Sequence, residues 1–140
     1  MSSTFCTFTL SDHLFGVDVN HVQEVIRRAE VTRVPLAPRI VAGVTSLRGQ
    51  IVTVVEGRRL LALPERGADE VPAHLVLKTP KGMVSLLVDG VGDVLSPPES
   101  SFEDLPEHVL PQIRDLLQGV SKLEGSLLLL IDSERMFELI

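Results

Sequence analysis

Gly43 to Leu61 reads GVTSLRGQIVTVVEGRRLL, and Gly119 to Phe137 reads GVSKLEGSLLLLIDSERMF. The two stretches keep a glycine, a valine, a leucine, a second glycine and an arginine in register, and Glu56 matches Asp132 in kind. They differ in charge at one point: Arg48 precedes the second glycine in the first copy, and Glu124 precedes it in the second. Working outward, FGVDVNHVQEV from Phe15 aligns with VSLLVDGVGDV from Val84. Val19 meets Val88, Asn20 meets Asp89, Val22 meets Val91, Glu24 meets Asp93 and Val25 meets Val94. Two blocks recur in one order at a period of about 70 residues, too long and too few for a solenoid. The pattern predicts two similar β lobes, approximately 1–68 and 69–140, in one domain spanning 1–140. A lobe of ~60 residues is marginal alone, so the two should share one hydrophobic core.

Local patterning fills in the elements. Phe5 to Leu10 alternates apolar residues with Thr7 and Thr9 and reads as a strand, as do Phe15 to Val19 after a Ser11-Asp12 turn. Val22, Val25 and Ile26 fall at helical spacing, and Asn20 with Gln23 resembles a capping box, so a short helix is expected there, with Arg27 and Arg28 at its end. Pro35 and Pro38 forbid a long helix or a central strand in VTRVPLAPRIVAG, which Gly43 closes. Gln50 to Val55 is a β-branched strand, Arg58 to Leu63 a helical turn, and PERGADEVP from Pro64 a linker. Leu75 to Lys78 and Met83 to Val88 flank a Pro80-Lys81-Gly82 turn as a hairpin. SPPESSFEDLP reads as loop, Val109 to Leu117 as a short helix, Ser126 to Ile131 as a buried strand and Ser133 to Leu139 as a closing helix. Recurring Gly43, Gly49, Gly119 and Gly125 mark strand entrances and turns where the backbone needs glycine. Gly57 reads as a glycine in a helical turn, costing about 1 kcal/mol.

Bulk properties narrow the function. With net charge -6, no Trp and no Tyr, the chain lacks the basic stripe or stacking aromatics of a nucleic-acid binder. Nor does it suit an anionic membrane surface. No apolar run approaches the ~18 residues that span a bilayer, so no membrane insertion is expected. MSSTFCTFTL lacks a basic region followed by an apolar core, so it reads as no secretory signal. Cys6 is the only cysteine and reads as a reduced thiol in the cytoplasm.

Catalytic patterns are missing. His13, His21, His74 and His108 are scattered, with no pair at metal-ligand spacing. Gly43 to Gly49 is neither a phosphate loop nor a nucleophile elbow. The acids Asp12, Asp18, Glu24, Glu56, Asp89 and Asp93 read as solvated or turn-capping residues. A dispersed carboxylate pair for acid–base chemistry stays open as an enzymatic alternative. The leading reading is no enzyme, no metal and no cofactor.

Four phrases carry a resemblance: FTLSDHLFGVDVNHVQEVI, VTRVPLAPRIVAGVTSLRGQIVTVV, LLVDGVGDVLS and GVSKLEGSLLLLID. In order and spacing, from about Phe5 to Phe137, they resemble the CheW family of bacterial chemotaxis coupling proteins. The resemblance implies a mainly β fold of two SH3-like five-stranded barrels packed on each other, with short helices. It implies a scaffold that binds the chemoreceptor signalling tip and the regulatory domain of a CheA-type histidine kinase. Carried over by position, the partner-binding residues are Val22, Glu24, Gly43, Arg48 and Val94. By periodicity alone Val22 and Val94 suit a core equally well; the resemblance makes them partly exposed contacts. Ser46 stands where the family usually has Asn, and Glu56-Gly57 where it usually has Asp-Leu. These departures leave room for a specialised relative that binds a receptor and no kinase. If Glu24 and Arg48 are neighbours, the first copy can form an ion pair that Asp93 and Glu124 cannot.

Overall fold

A computed structural model describes residues 4–140; Met1 to Ser3, part of the stretch read for a signal, lie outside the described residues. Eleven strands and two short helices follow one another: β1 (Phe5–Leu10), β2 (His13–Asp18), β3 (Val22–Ile26), β4 (Val41–Leu47), β5 (Gln50–Glu56), α1 (Gly57–Leu60), β6 (Ala73–Thr79), β7 (Gly82–Val88), β8 (Gly90–Leu95), β9 (Phe102–Glu103), β10 (Leu117–Leu123), β11 (Ser126–Ile131) and α2 (Ser133–Glu138). They form two sheets, of order β8-β1-β2-β11-β10-β9 and β3-β6-β7-β5-β4. The mainly β, two-lobed class expected from the repeat is what the chain adopts.

The sheets do not follow the sequence halves. The lobe boundary expected near 68/69 is therefore misplaced as a sheet boundary. One sheet takes β1 and β2 together with β8 to β11; the other takes β3 to β7. The chain crosses between them at Val19–His21 and again at Asp89. Each half thus lends its first two strands to the sheet completed by the other half's last strands. Register confirms the two-fold relation. Thr53 pairs in parallel with Val84, and Leu129 pairs in parallel with Phe15. The β4–β5 ladder is bulged between Val41 and Gly43, and β10–β11 between Leu117 and Gly119. The β3–β6 and β1–β8 ladders carry matching irregularities, at Val22/Glu24 and Cys6/Phe8.

Both sheets feed one core. Phe8, Phe15 and Val17 from the first meet Val55, Leu75, Leu77, Leu86 and Val88 from the second, closed by Ile131 and Met136. Phe8 stacks on Phe15 at 5.7 Å between ring centres. The equal count of five strands per lobe fails by one. Phe102–Glu103 makes a two-residue strand on β10, whereas its counterpart in the other sheet makes only the single bridge Thr32–Val44.

The helix expected over Val22–Ile26 is a strand. Its burial alternates, with Val22, Glu24 and Ile26 half-buried and Gln23 and Val25 exposed. Pairing with β6 lets the branched side chains pack on a pleated surface, and this overrides the helical spacing. Only Val19–His21 turns helically, capped by Asp18, whose carboxylate accepts from the Asn20 N–H at 2.8 Å. The segment Val109–Leu117 forms a kinked 3-10 turn, Pro111–Leu116, after Leu110 in the left-handed region. β4 was not foreseen, because the proline-rich reading extended to Gly43.

Candidate partner-binding site

The β4–β5 hairpin closes at Leu47 opposite Gln50, so Arg48 and Gly49 are its two turn residues. Both have positive φ, +52° and +80°. That is the primed turn whose twist matches a tight hairpin. In the second copy Gly125 has φ +79°, but Glu124 is not among the residues with positive φ. The charge difference thus coincides with a difference in turn geometry.

From this turn Arg48 reaches β3. Its Nε donates to Glu24 Oε1 at 3.0 Å and its Nη2 to Oε2 at 2.7 Å. The planar guanidinium fork matches both carboxylate oxygens. Arg48 remains 74% exposed while Glu24 is 23% exposed. The hydrogen bond from Arg48 outweighs an opposing desolvation and, with the Arg48 charge adding to it, holds the Glu24 carboxyl below its ordinary range. Glu24 in turn raises the Arg48 guanidinium. In so wet a setting the pair contributes little stability; what it fixes is the direction of Arg48. Arg48 is thus both exposed and paired. The counterparts Asp93 and Glu124 are both acidic.

The remaining predicted residues are spread over the molecule. Val22 lies two residues before Glu24, but the bulge between them sets it opposite Leu77 while Glu24 is opposite Val76, so Val22 faces the main core and is half-buried there. Gly43 is buried: a Cβ there would stand 2.2 Å from the Thr32 carbonyl oxygen. Thr32 and Val44 exchange hydrogen bonds of 2.8 and 2.9 Å across that contact. Gly43 therefore seats the loop preceding β4. Val94 is on β8, in the other sheet, opposite Cys6, and 56% exposed. Its repeat counterpart Val25 is likewise exposed on β3. Sequence reading paired the two valines but put Val25 on a helix, and so missed it as a surface residue.

A second cluster was missed altogether. The segment read as a linker carries Arg66, whose side chain is 7% exposed. Arg66 donates to Glu56 at 2.7 Å and to Asp89 at 2.9 Å. Arg58 grips the same Asp89 with two nitrogens, at 3.0 and 2.6 Å, and also donates to Glu70 at 3.1 Å. The Ser11 N–H completes the Asp89 site at 2.8 Å. Partial burial pushes the Asp89 carboxyl up, but the hydrogen bonds from Arg58, Ser11 and Arg66 outweigh it, and its pKa is lowered. Asp89 stands 31 residues from Arg58 and 23 from Arg66, so no local pattern links them.

Several other ionisable groups have structural roles. His74 Nδ1 lies 2.8 Å from Ser85 Oγ inside the second sheet, and burial lowers its pKa. His21 packs edge-on against Phe137. Glu56 and Asp132 cap α1 and α2. Among the described residues no helix is long and apolar enough to cross a membrane.

The geometry defines a class: a two-lobed β protein built from interleaved halves, with an oriented arginine on one lobe and an acidic counterpart on the other. The CheW-like domain profile matches residues 4–140, and the chain belongs to that family. The "Chemotaxis protein CheW" of Klebsiella aerogenes is 34% identical over 132 residues, covering 94% of this chain and 80% of that one. The protein of the same name from Thermotoga maritima is 28% identical over 132 residues, covering 94% and 85%. A crystal structure of the scaffolding protein TtCheW from Thermoanaerobacter tengcongensis superposes with a TM-score of 0.81 at 24% identity, over 99% of this chain and 94% of that one, and shares the fold.

Proposed function

We propose that this chain is a non-enzymatic cytoplasmic scaffold of a chemotaxis-type signalling pathway. It couples chemoreceptor signalling tips to the regulatory domain of a CheA-type histidine kinase. The observation that carries the reading is the Glu24–Arg48 fork, fixed on a rigid hairpin of one lobe and absent from the other. A scaffold joining two different proteins needs two unlike surfaces, and a charge difference on a repeated frame supplies them. Family membership and the relatives named for chemotaxis support the same reading. Val22, Glu24, Arg48 and Val94 contribute to partner contact, and Gly43 supports it from below.

The test is calorimetric titration with a receptor signalling fragment and, separately, with a kinase regulatory domain. Saturable binding to both is expected. Binding to the receptor fragment alone would replace the coupling reading with that of a specialised relative, and binding to neither would remove both readings.

A further inference from the structure

Among the described residues six non-glycine positions have positive φ: Ser11, Asp12, Leu36, Arg48, Ala62 and Leu110. Most have a local explanation. Ser11 and Asp12 form a hairpin turn between β1 and β2. Arg48 is held by Glu24. Ala62 is the left-handed cap of α1, with its own N–H on the Arg59 carbonyl at 3.2 Å and the Leu63 N–H on that of Arg58 at 2.7 Å, and Leu110 packs against the core. Leu36 also lies in a turn, but its large apolar side chain is left in solvent. Its φ is +65° and its relative exposure is 105%, the highest of the exposed large apolar residues.

Leu36 occupies the third position of the turn Val34–Ala37, closed by the Ala37 N–H on the Val34 carbonyl at 3.3 Å. With Pro35 second, this is a type II turn, whose third position suits glycine or asparagine. A leucine there bears the strain of a left-handed backbone and leaves its whole side chain in water. Among the described residues no side chain covers it. The turn is also fixed. Pro35 and Pro38 restrict it, and Arg59 donates to the Arg39 carbonyl at 3.1 Å while bonding Glu65 at 2.8 Å. Val34 is 42% exposed beside it, and Arg33 and Arg39 are exposed on either side.

Charge states what would fit. Residues 27–39 carry four arginines and one glutamate, a net of +3 in a chain of net charge -6, which leaves -9 for the rest. We propose that the Val34–Ala37 turn is a docking knob, with Leu36 its anchor. Its partner is a protein surface offering an apolar pocket rimmed by carboxylates. The knob lies at the Val41 end of β4, and Arg48 follows the Leu47 end, seven residues of extended strand away. At ~3.3 Å per residue that is on the order of 20 Å, so the two are separate contacts. The inference rests on the coupling reading: the pocket belongs to one of the two proteins that the scaffold joins.

Leu36→Gly separates anchor from fold, because glycine relaxes at φ +65°. The variant is expected to unfold at a higher denaturant concentration than the parent protein. In titrations it is expected to bind one of the two probes, receptor signalling fragment or kinase regulatory domain, at least tenfold more weakly, and the other unchanged. Arg33→Glu combined with Arg39→Glu should weaken the same probe and flatten its salt dependence. Leu36→Gly binding both probes within twofold of the parent would overturn the knob while leaving the coupling reading intact. A parent protein that binds neither probe would overturn both.

Discussion

Arg48 is held at two points, by a left-handed backbone in a two-residue turn and by two hydrogen bonds to Glu24. Arg48→Glu should weaken one partner strongly, by tenfold or more, with the fold retained, because the pair is too exposed to matter for stability. Adding Glu24→Arg should restore part of that affinity. A double-mutant cycle checks this, and strictly additive effects would remove the pair from the binding account. The possible pairing was legible in the repeat alignment; the turn type was not, since Arg-Gly and Glu-Gly both fit tight turns. Glycines show the limit of reading by position. Gly57 looked like a tolerated defect in a helical turn, yet a Cβ there would stand 2.4 Å from the Leu87 carbonyl oxygen. Gly43→Val and Gly57→Val should each cost about 3 kcal/mol through clash and strain. Gly49→Ala, with open space around it, should cost only about 1 kcal/mol for its positive φ. Denaturant unfolding measures all three, and a Gly57→Val as mild as Gly49→Ala would show that the chain yields at Leu87.

At the scale of elements, the strap from Pro64 to Pro72 has no regular structure, yet Arg66 and Glu70 tie it to the crossover at Asp89 and to Arg58 at α1. Sequence reading took its prolines, glycine and charges for a linker, because composition does not reveal which charges will be buried together. Asp89→Ala should cost about 3 kcal/mol, since it strips two buried guanidinium groups of a shared partner. Asp89 also gives a pH signature. Its pKa is lower in the folded chain than the ordinary 3.8. Its contribution is therefore complete above that value and is lost as pH falls through the lower folded one. Thermal melts of the parent and Asp89→Asn between pH 6 and pH 2 should converge at the acid end. A constant gap between them would mean that the carboxylate charge is not what stabilises the crossover. β3 teaches a related lesson. Three apolar residues at helical spacing in a five-residue stretch are outweighed by a waiting partner strand.

For the whole molecule, the repeat was legible as two similar lobes with a common core, and the exchange of strands between halves was not. Pairing across halves leaves no trace in either half's own pattern. It has a consequence for folding. The ladders β1–β8, β2–β11, β3–β6 and β5–β7 all join one half to the other. A fragment of residues 1–68 should show no cooperative unfolding by circular dichroism until the fragment 69–140 is added. A cooperative transition in either fragment alone would mean that the halves fold independently. The same exchange makes the two lobes one rigid frame on which Arg48 and the acidic pair Asp93 and Glu124 occupy related but unlike positions. The central claim is that this difference lets one scaffold hold two partners at once. Sedimentation of the parent protein with receptor fragment and kinase regulatory domain together, beside Arg48→Glu, tests it most directly. The parent should form one complex containing all three proteins, and Arg48→Glu should lose one partner while keeping the other. An Arg48→Glu variant that assembles the full complex at parental affinity, or a parent that never holds both partners together, would contradict the account.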